Sequence, residues 1–284
     1  MTANERRAAT TRQDAPAATP RATPPATSAD ATKVPPSPAA LLGPDALFAN
    51  PRPKIEDFDF GRETAAVFDD MLDRSVPFYE EIQRMVAELA VDFAAPGTAI
   101  YDLGCSTCTS FLQIDAVLAA DAGVKFVGID SSDEMLLRAR AKLEQAGFAH
   151  PFELRCANLD HGLEIENASV ALLILTLQFV RPLYRKRIVR TIADGLAENG
   201  CLILVEKVLG ENSTYNRLFI KHYYEMKRRN GYSELEIAQK REALENVLVP
   251  YRLEENRQML AACGFRNVDV FFKWYNFCGI VAMK

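Results

Sequence analysis

Nowhere does this 284-residue chain carry an apolar run long enough to cross a bilayer. The longest, 170–177, falls far short of the roughly 20 residues a spanning helix needs, and no secretory signal stands at the start. Positive charge is not in excess either: 33 Lys and Arg against 38 Asp and Glu leave a net charge of -5, which gives no global attraction to nucleic acid phosphates. The six cysteines include one C-x-x-C, Cys105 and Cys108, and no second pair at matching spacing. A zinc site is therefore not expected, and scattered cysteines fit reduced thiols in a cytoplasmic protein. Glycine is short at one telling place. A dinucleotide-binding turn needs two glycines beyond Gly104 to admit a pyrophosphate, and Ser106 and Cys108 stand there instead. The expectation is a protein of the cytoplasm with no metal, no membrane contact and no direct nucleic-acid partner.

What is present points to one folded domain behind a tail. Residues 1–45 are Ala-, Pro- and Thr-rich, with almost no large apolar side chains, so they cannot bury enough surface to offset their ordering entropy. They read as a disordered tail, and 46–284 as the folded domain. Hydrophobic residues at 49% with 25% charged suit a soluble globular core of that size. Between 58 and 93, Val67, Phe68, Met71 and Leu72, then Ile82, Met85, Val86 and Leu89 recur at helical spacing. Pro77 interrupts them, so two helices are expected with Tyr79 near the joint, either touching a ligand or packing half-buried.

The organising stretch is 98–108, a strand running into Asp102, a sharp turn at Gly104, and a helix capped by Ser106, Thr107 or Thr109. Such a turn lies at the carboxyl end of the first strand of an open α/β sheet, where small ligands bind. A second strand, 124–129, ends in Asp130-Ser131-Ser132. An acid there is placed to accept hydrogen bonds from both ribose hydroxyls of a nucleoside, unless it serves only as a cap. Asn158, after a third strand at 152–157, can meet an adenine edge as donor and acceptor. One glycine, an acid and no phosphate cradle best suit S-adenosylmethionine.

The run 170–177 reads as a central parallel strand, and a helix with Ile188, Ile192 and Leu196 ends near Asn199-Gly200. The fifth strand, 201–205, leads to a mainly helical insertion at about 211–249. Within it Ser233 and Glu236 have capping-box spacing, while Lys227, Arg228, Arg229, Lys240 and Arg241 form either a solvated face or a cation for an anionic substrate. Strands at 268–274 and 277–283 close the sheet edge as a hairpin. The fold expected is α/β: a Rossmann-like, doubly wound, seven-stranded sheet with an antiparallel last strand and a helical insertion after strand 5.

From Phe58 to Lys284 the chain resembles the carboxy-S-adenosyl-L-methionine synthase family, a branch of the class I methyltransferase fold. The resemblance is carried by Arg74-Ser75-Val76-Pro77 with Tyr79, by Tyr101-Asp102-Leu103-Gly104-Cys105-Ser106, and by Thr176-Leu177-Gln178-Phe179. More specific are Asn230-Gly231-Tyr232-Ser233-Glu234-Leu235-Glu236-Ile237 and Gln239-Lys240-Arg241 before Leu244-Glu245-Asn246-Val247. The resemblance implies a dimeric enzyme that takes S-adenosylmethionine and prephenate and gives the carboxylated cofactor and phenylpyruvate, for tRNA wobble uridine modification. Prephenate supplies the carbon dioxide, and its departing hydroxyl takes the proton from the S-methyl group, so no side-chain base is required. By carry-over, Arg241 is the catalytic residue, holding a carboxylate with its planar fork, and it acts on the neighbouring subunit's site. Tyr79, Gly104, Cys105, Ser106, Asp130, Ser131, Asn158, Leu159 and Ile174 bind the cofactor. Cys108 replaces a family glycine, Asn158 an acid and Ile174 a cofactor-facing asparagine, whose side-chain hydrogen bond, worth about 1 kcal/mol, it cannot make. Two other readings remain: an S-adenosylmethionine-dependent methyltransferase with a small-molecule acceptor, and a carrier that binds the carboxylated cofactor without turnover.

Overall fold

The computed structural model describes residues 44–284; the expected tail lies outside the described residues except for its last two positions. Helices α1 (Arg62–Ser75) and α2 (Tyr79–Phe93) come first and part at Pro77, with Phe78 in the left-handed region at φ 54°. There follow β1 (Ala99–Leu103), α3 (Thr109–Asp115), β2 (Lys125–Asp130), α4 (Asp133–Ala146) and β3 (Phe152–Cys156). The chain continues through β4 (Ala168–Ile174), α5 (Pro182–Gly195) and β5 (Leu196–Leu209). Helices α6 (Ser213–Arg229) and α7 (Glu234–Leu244) make the insertion, and β6 (Tyr251–Arg252), α8 (Leu253–Ala262), β7 (Asn267–Trp274) and β8 (Phe277–Met283) complete the domain.

The strands lie in the order β3-β2-β1-β4-β5-β8-β7, with the two-residue β6 pairing beside β5. Strands β1 to β5 are mutually parallel, and β8 runs antiparallel to both β5 and β7. This is the expected seven-stranded path with one reversed strand. Alternation along the strands explains the two cores. Tyr101, Leu103, Val127, Ile129, Ala171 and Leu173 pack with Ile188 and Ile192 of α5 and Leu260 of α8. Their neighbours Ile100, Phe126, Val170 and Leu172 pack on the other face with Ile82 and Val86 of α2 and Phe111 and Ile114 of α3. Each such side chain removed from water contributes about 1.5–3 kcal/mol.

Three local expectations need correction. None of Ser106, Thr107 and Thr109 caps α3; the cap position is Cys108, at φ 58° and with no side-chain cap. Thr107 and Thr109 turn instead toward Asp69, at 2.6 and 3.4 Å. Helix α5 stops at Gly195 rather than near Asn199, because the β5 ladder already pairs Leu196 with Ala168. Strand β4 ends at Ile174, and Leu177 belongs to a 3-10 turn, Leu177–Phe179. Ser132 caps α4, accepting from the Met135 amide, and the capping box of Ser233 and Glu236 is present.

Candidate active site

The strand order reverses between β1 and β4, and the carboxyl ends of β1 to β5 open there into a cavity of about 400 Å³. A sheet whose order reverses leaves such a crevice because neighbouring crossovers depart to opposite faces. All nine residues expected at the cofactor, Tyr79, Gly104, Cys105, Ser106, Asp130, Ser131, Asn158, Leu159 and Ile174, line it. Phe58 and Phe60 and residues of α1, α2 and α7 form the opposite wall.

The turn after β1 admits only glycine. Gly104 has φ 81°, and a Cβ there would lie 2.4 Å from the Thr176 side chain. Its amide and that of Cys105 both donate to the Ile129 carbonyl, at 2.7 and 3.1 Å, which ties the turn to β2. Asp130 at the end of β2 is held at both oxygens: the Ser106 amide donates to one and the Ser132 amide to the other, each at 2.9 Å. The Ser131 amide adds a further backbone hydrogen bond to the same carboxylate. Burial raises the Asp130 carboxyl despite these donors. Burial, and then the nearby Asp130, push Asp102 up to about 8, and its Oδ1 has no partner among the described residues. An orphaned acceptor on a cavity wall is a place for a ligand's N–H. Hydrogen bonding to Cys108, then burial, holds the Cys105 thiol well above its usual value. The Tyr79 hydroxyl accepts from Gln83 Nε2 at 2.9 Å, and burial raises it too. Ile174 puts hydrocarbon where β4 enters the cavity. A nucleoside with a diol fits these groups: a closed glycine turn, a clamped carboxylate and an unpaired acceptor.

Arg241 is placed differently. It is exposed on α7 and lines a second cavity of about 370 Å³, which shares Lys207, Tyr223, Leu244 and Leu248 with the first. It is not on the first cavity's wall. The cations that are there are Lys240, one of the insertion charges that the sequence offers for an anionic substrate, and Lys207, which the sequence does not point to. Lys240 Nζ donates to Ser75 Oγ at 3.1 Å and lies 3.5 Å from Asp45 Oδ2, while the Tyr232 hydroxyl donates to the same Asp45 oxygen at 2.5 Å. Arg74 stacks 4.1 Å from the Tyr232 ring centroid and donates to the Asp45 carbonyl. The sequence blocks around Arg74, Tyr232 and Lys240 therefore meet in one buried network, and Asp45, at the expected border of the tail, is its anion. Adjacency of Lys240 to Arg241 was the available signal; that Asp45 would be 3% exposed had none.

Residues 100–200 match a family model described as a methyltransferase domain. The chain is 62% identical over 240 residues to the carboxy-S-adenosyl-L-methionine synthase of Methylococcus capsulatus, covering 84% of this chain and 99% of that one. It is 42% identical to the synthase of Desulfotalea psychrophila, covering 84% and 97% respectively. Among solved structures, an O-methyltransferase family protein from Burkholderia thailandensis superposes with a TM-score of 0.60 at 14% identity, covering 82% of this chain and 65% of the other. A putative O-methyltransferase from Nostoc punctiforme gives 0.56 at 16%, covering 78% and 59%. The structural likenesses carry the fold, and the relatives, matched along nearly their whole lengths, carry more: the chain belongs to the carboxy-S-adenosyl-L-methionine synthase family.

Proposed function

We propose that this protein is an enzyme that carboxylates S-adenosylmethionine on its sulfonium methyl group, with prephenate as the source of the carbon dioxide. The observation that carries the reading is the 62% identity to a named synthase of which this chain covers 99%. Atoms balance as follows. Prephenate loses its ring carboxyl and its hydroxyl to become phenylpyruvate; the hydroxyl leaves with the methyl proton as water, and the carbon dioxide bonds to the same methyl carbon.

S-adenosylmethionine supplies the sulfonium beside which that proton is acidified. The chain's own residues supply position. Asp130 accepts from the ribose hydroxyls, and its orientation is set by the Ser106 and Ser132 amides. Asn158, its own Oδ1 fixed by the Asp160 amide at 2.8 Å, turns its remaining groups to the base edge. Gly104, Cys105 and Ser106 bring backbone close to the amino-acid end; Ser131, Leu159, Tyr79 and Ile174 close the sides. Arg241, exposed on α7, serves the cavity of a second copy, so the working form is a homodimer. The product then feeds modification of a tRNA wobble uridine in the cytoplasm.

Incubating the protein with S-adenosylmethionine and prephenate and resolving the nucleosides by mass spectrometry tests the reading. A product heavier than S-adenosylmethionine by one carbon dioxide is expected, together with phenylpyruvate; neither appearing rejects it. A second reading, methyl transfer to a small acceptor, is favoured by Ile174 on the wall and Arg241 off it. Formation of S-adenosylhomocysteine without carboxylated product would select it.

A further inference from the structure

The wall between the two cavities carries a cation that the reading above does not use. Lys207 lies two residues before the end of β5, its amide donating to Gln178 Oε1 at 2.8 Å, and its side chain lines both cavities. Its ammonium stands 4.5 Å from the Tyr223 ring centroid. Among the described residues no carboxylate is paired with it, and the charge that acts on it is another cation, Lys240. Of its two positive neighbours, Lys240 has Asp45 at 3.5 Å, whereas Lys227, across the Tyr223 and Tyr232 rings, is pulled down to about 7 by burial, then by Lys240 and Lys207, and lines only the second cavity. Burial, then Lys240, pulls Lys207 down to about 8, so it still carries its charge at neutral pH. A desolvated ammonium facing a ring and a void lacks an anion.

Its place along the sheet says which anion. Asp130 belongs to β2 and Lys207 to β5, and the order β2-β1-β4-β5 separates them by three strand spacings, about 14 Å. A nucleoside whose ribose sits at Asp130 therefore brings its sulfonium toward β1 and β4, and whatever meets the sulfonium from beyond lies against β5. We propose that Lys207 is the same-subunit receptor for a carboxylate of the acid substrate, which is then held between this half-buried ammonium and a guanidinium. The inference rests on the carboxylation reading and deepens it. It explains why the cation is a lysine on a strand, fixed and desolvated, while the arginine sits on an exposed helix: one carboxylate is gripped deep in the wall and the other at the mouth.

The test uses the full chain, with Lys207→Met and Lys207→Arg. With S-adenosylmethionine saturating, the KM for prephenate is expected to rise about ten-fold or more in Lys207→Met, the scale of one lost charge-assisted hydrogen bond, and to recover in part in Lys207→Arg. Calorimetric affinity for S-adenosylmethionine is expected to stay within about two-fold of the unaltered protein, which also certifies the fold. In the unaltered protein kcat/KM for prephenate should fall as pH rises through about 8, the value to which Lys207 is lowered, and the fall should move upward in Lys207→Arg. An unchanged KM for prephenate in Lys207→Met overturns the proposal and leaves the carboxylation reading standing. A parallel loss of cofactor affinity overturns it too, assigning the ammonium to the cofactor's own carboxylate. No carboxylated product from the unaltered protein removes both.

Discussion

Asp69 of α1 and Lys142 of α4 form an ion pair at 2.8 Å, and the same two side chains hold Thr107 and Thr109 of the turn that follows β1. The lysine donates to both hydroxyls, at 3.2 and 2.8 Å, and the carboxylate accepts from Thr107 at 2.6 Å. The pair is nearly buried, with 8% and 13% of the side chains exposed. Helix α1, which lines the cavity, is thus joined to α4 through the turn that also lines it.

Removing one partner leaves the other charge desolvated. Asp69→Ala is expected to lower unfolding free energy by about 3 kcal/mol in urea melts, and Lys142→Met by a similar amount. The double variant should lose clearly less than the two single losses added together, because no lone charge remains. Strict additivity would show that the pair does not act as a unit.

Gly104→Ala forces a Cβ to within 2.4 Å of Thr176 at a backbone φ of 81°. Binding of S-adenosylmethionine, followed by calorimetry, should weaken by at least about ten-fold, with stability reduced by about 1–2 kcal/mol from the left-handed conformation alone. Adding Thr176→Ala removes the two closest atoms and should restore part of the affinity but not the backbone cost. Full affinity in Gly104→Ala would mean the cofactor binds elsewhere.

Arg241 and Asp130 offer a complementation experiment. Arg241→Ala should abolish carboxylated product while cofactor affinity is retained, since the guanidinium is off the first cavity's wall. Asp130→Ala should lose cofactor affinity. If a second copy supplies the arginine, mixed dimers of the two chains regain activity that neither parent has, because one intact site can be assembled. Mixtures as inactive as the parents would place Arg241 in its own subunit or outside the reaction.

Stability should decline as pH rises from about 4 toward 7, above which the lowered Lys207, Lys227 and Lys240 act with the opposite sign. Burial pushes Asp102 up to about 8 from 3.8, and Glu206 to about 8 from 4.5, so across that window the folded state holds protons that the unfolded chain has released. Raised carboxyl values favour the folded state fully below the unfolded value and lose that contribution on the way to the folded one. Asp102→Asn should flatten the decline without removing it, because Glu206 keeps the same sign. Urea melts at pH 5, 7 and 8 measure both slopes; identical slopes would show that Asp102 is ionised in the folded protein.

Residues that end strands were legible because their role is local. Gly104, Asp130, Ser131 and Asn158 each follow an apolar run and precede a helical pattern, and a doubly wound sheet gathers all such ends on one side. Thr107 and Thr109 looked like caps by the same local logic and were claimed by Asp69, 38 and 40 residues away. Lys207 was illegible for a related reason. In Glu206-Lys207 the sequence offers two charged neighbours on one strand, and period two sends them to opposite faces without saying which face holds the cavity. Only the pairing of β5 with β4 and β8 decides that Glu206 is buried and Lys207 meets the void.

Asp45 ties the chain's approach to the domain into the chemistry of its interior. The counter-ion for Lys240 comes from a segment that also leans on α7 through Gln239, which donates to the Phe48 and Asn50 carbonyls. Drawing that segment away would strip an ammonium of its partner beside an already unmatched one and sharpen the positive potential inside the cavity.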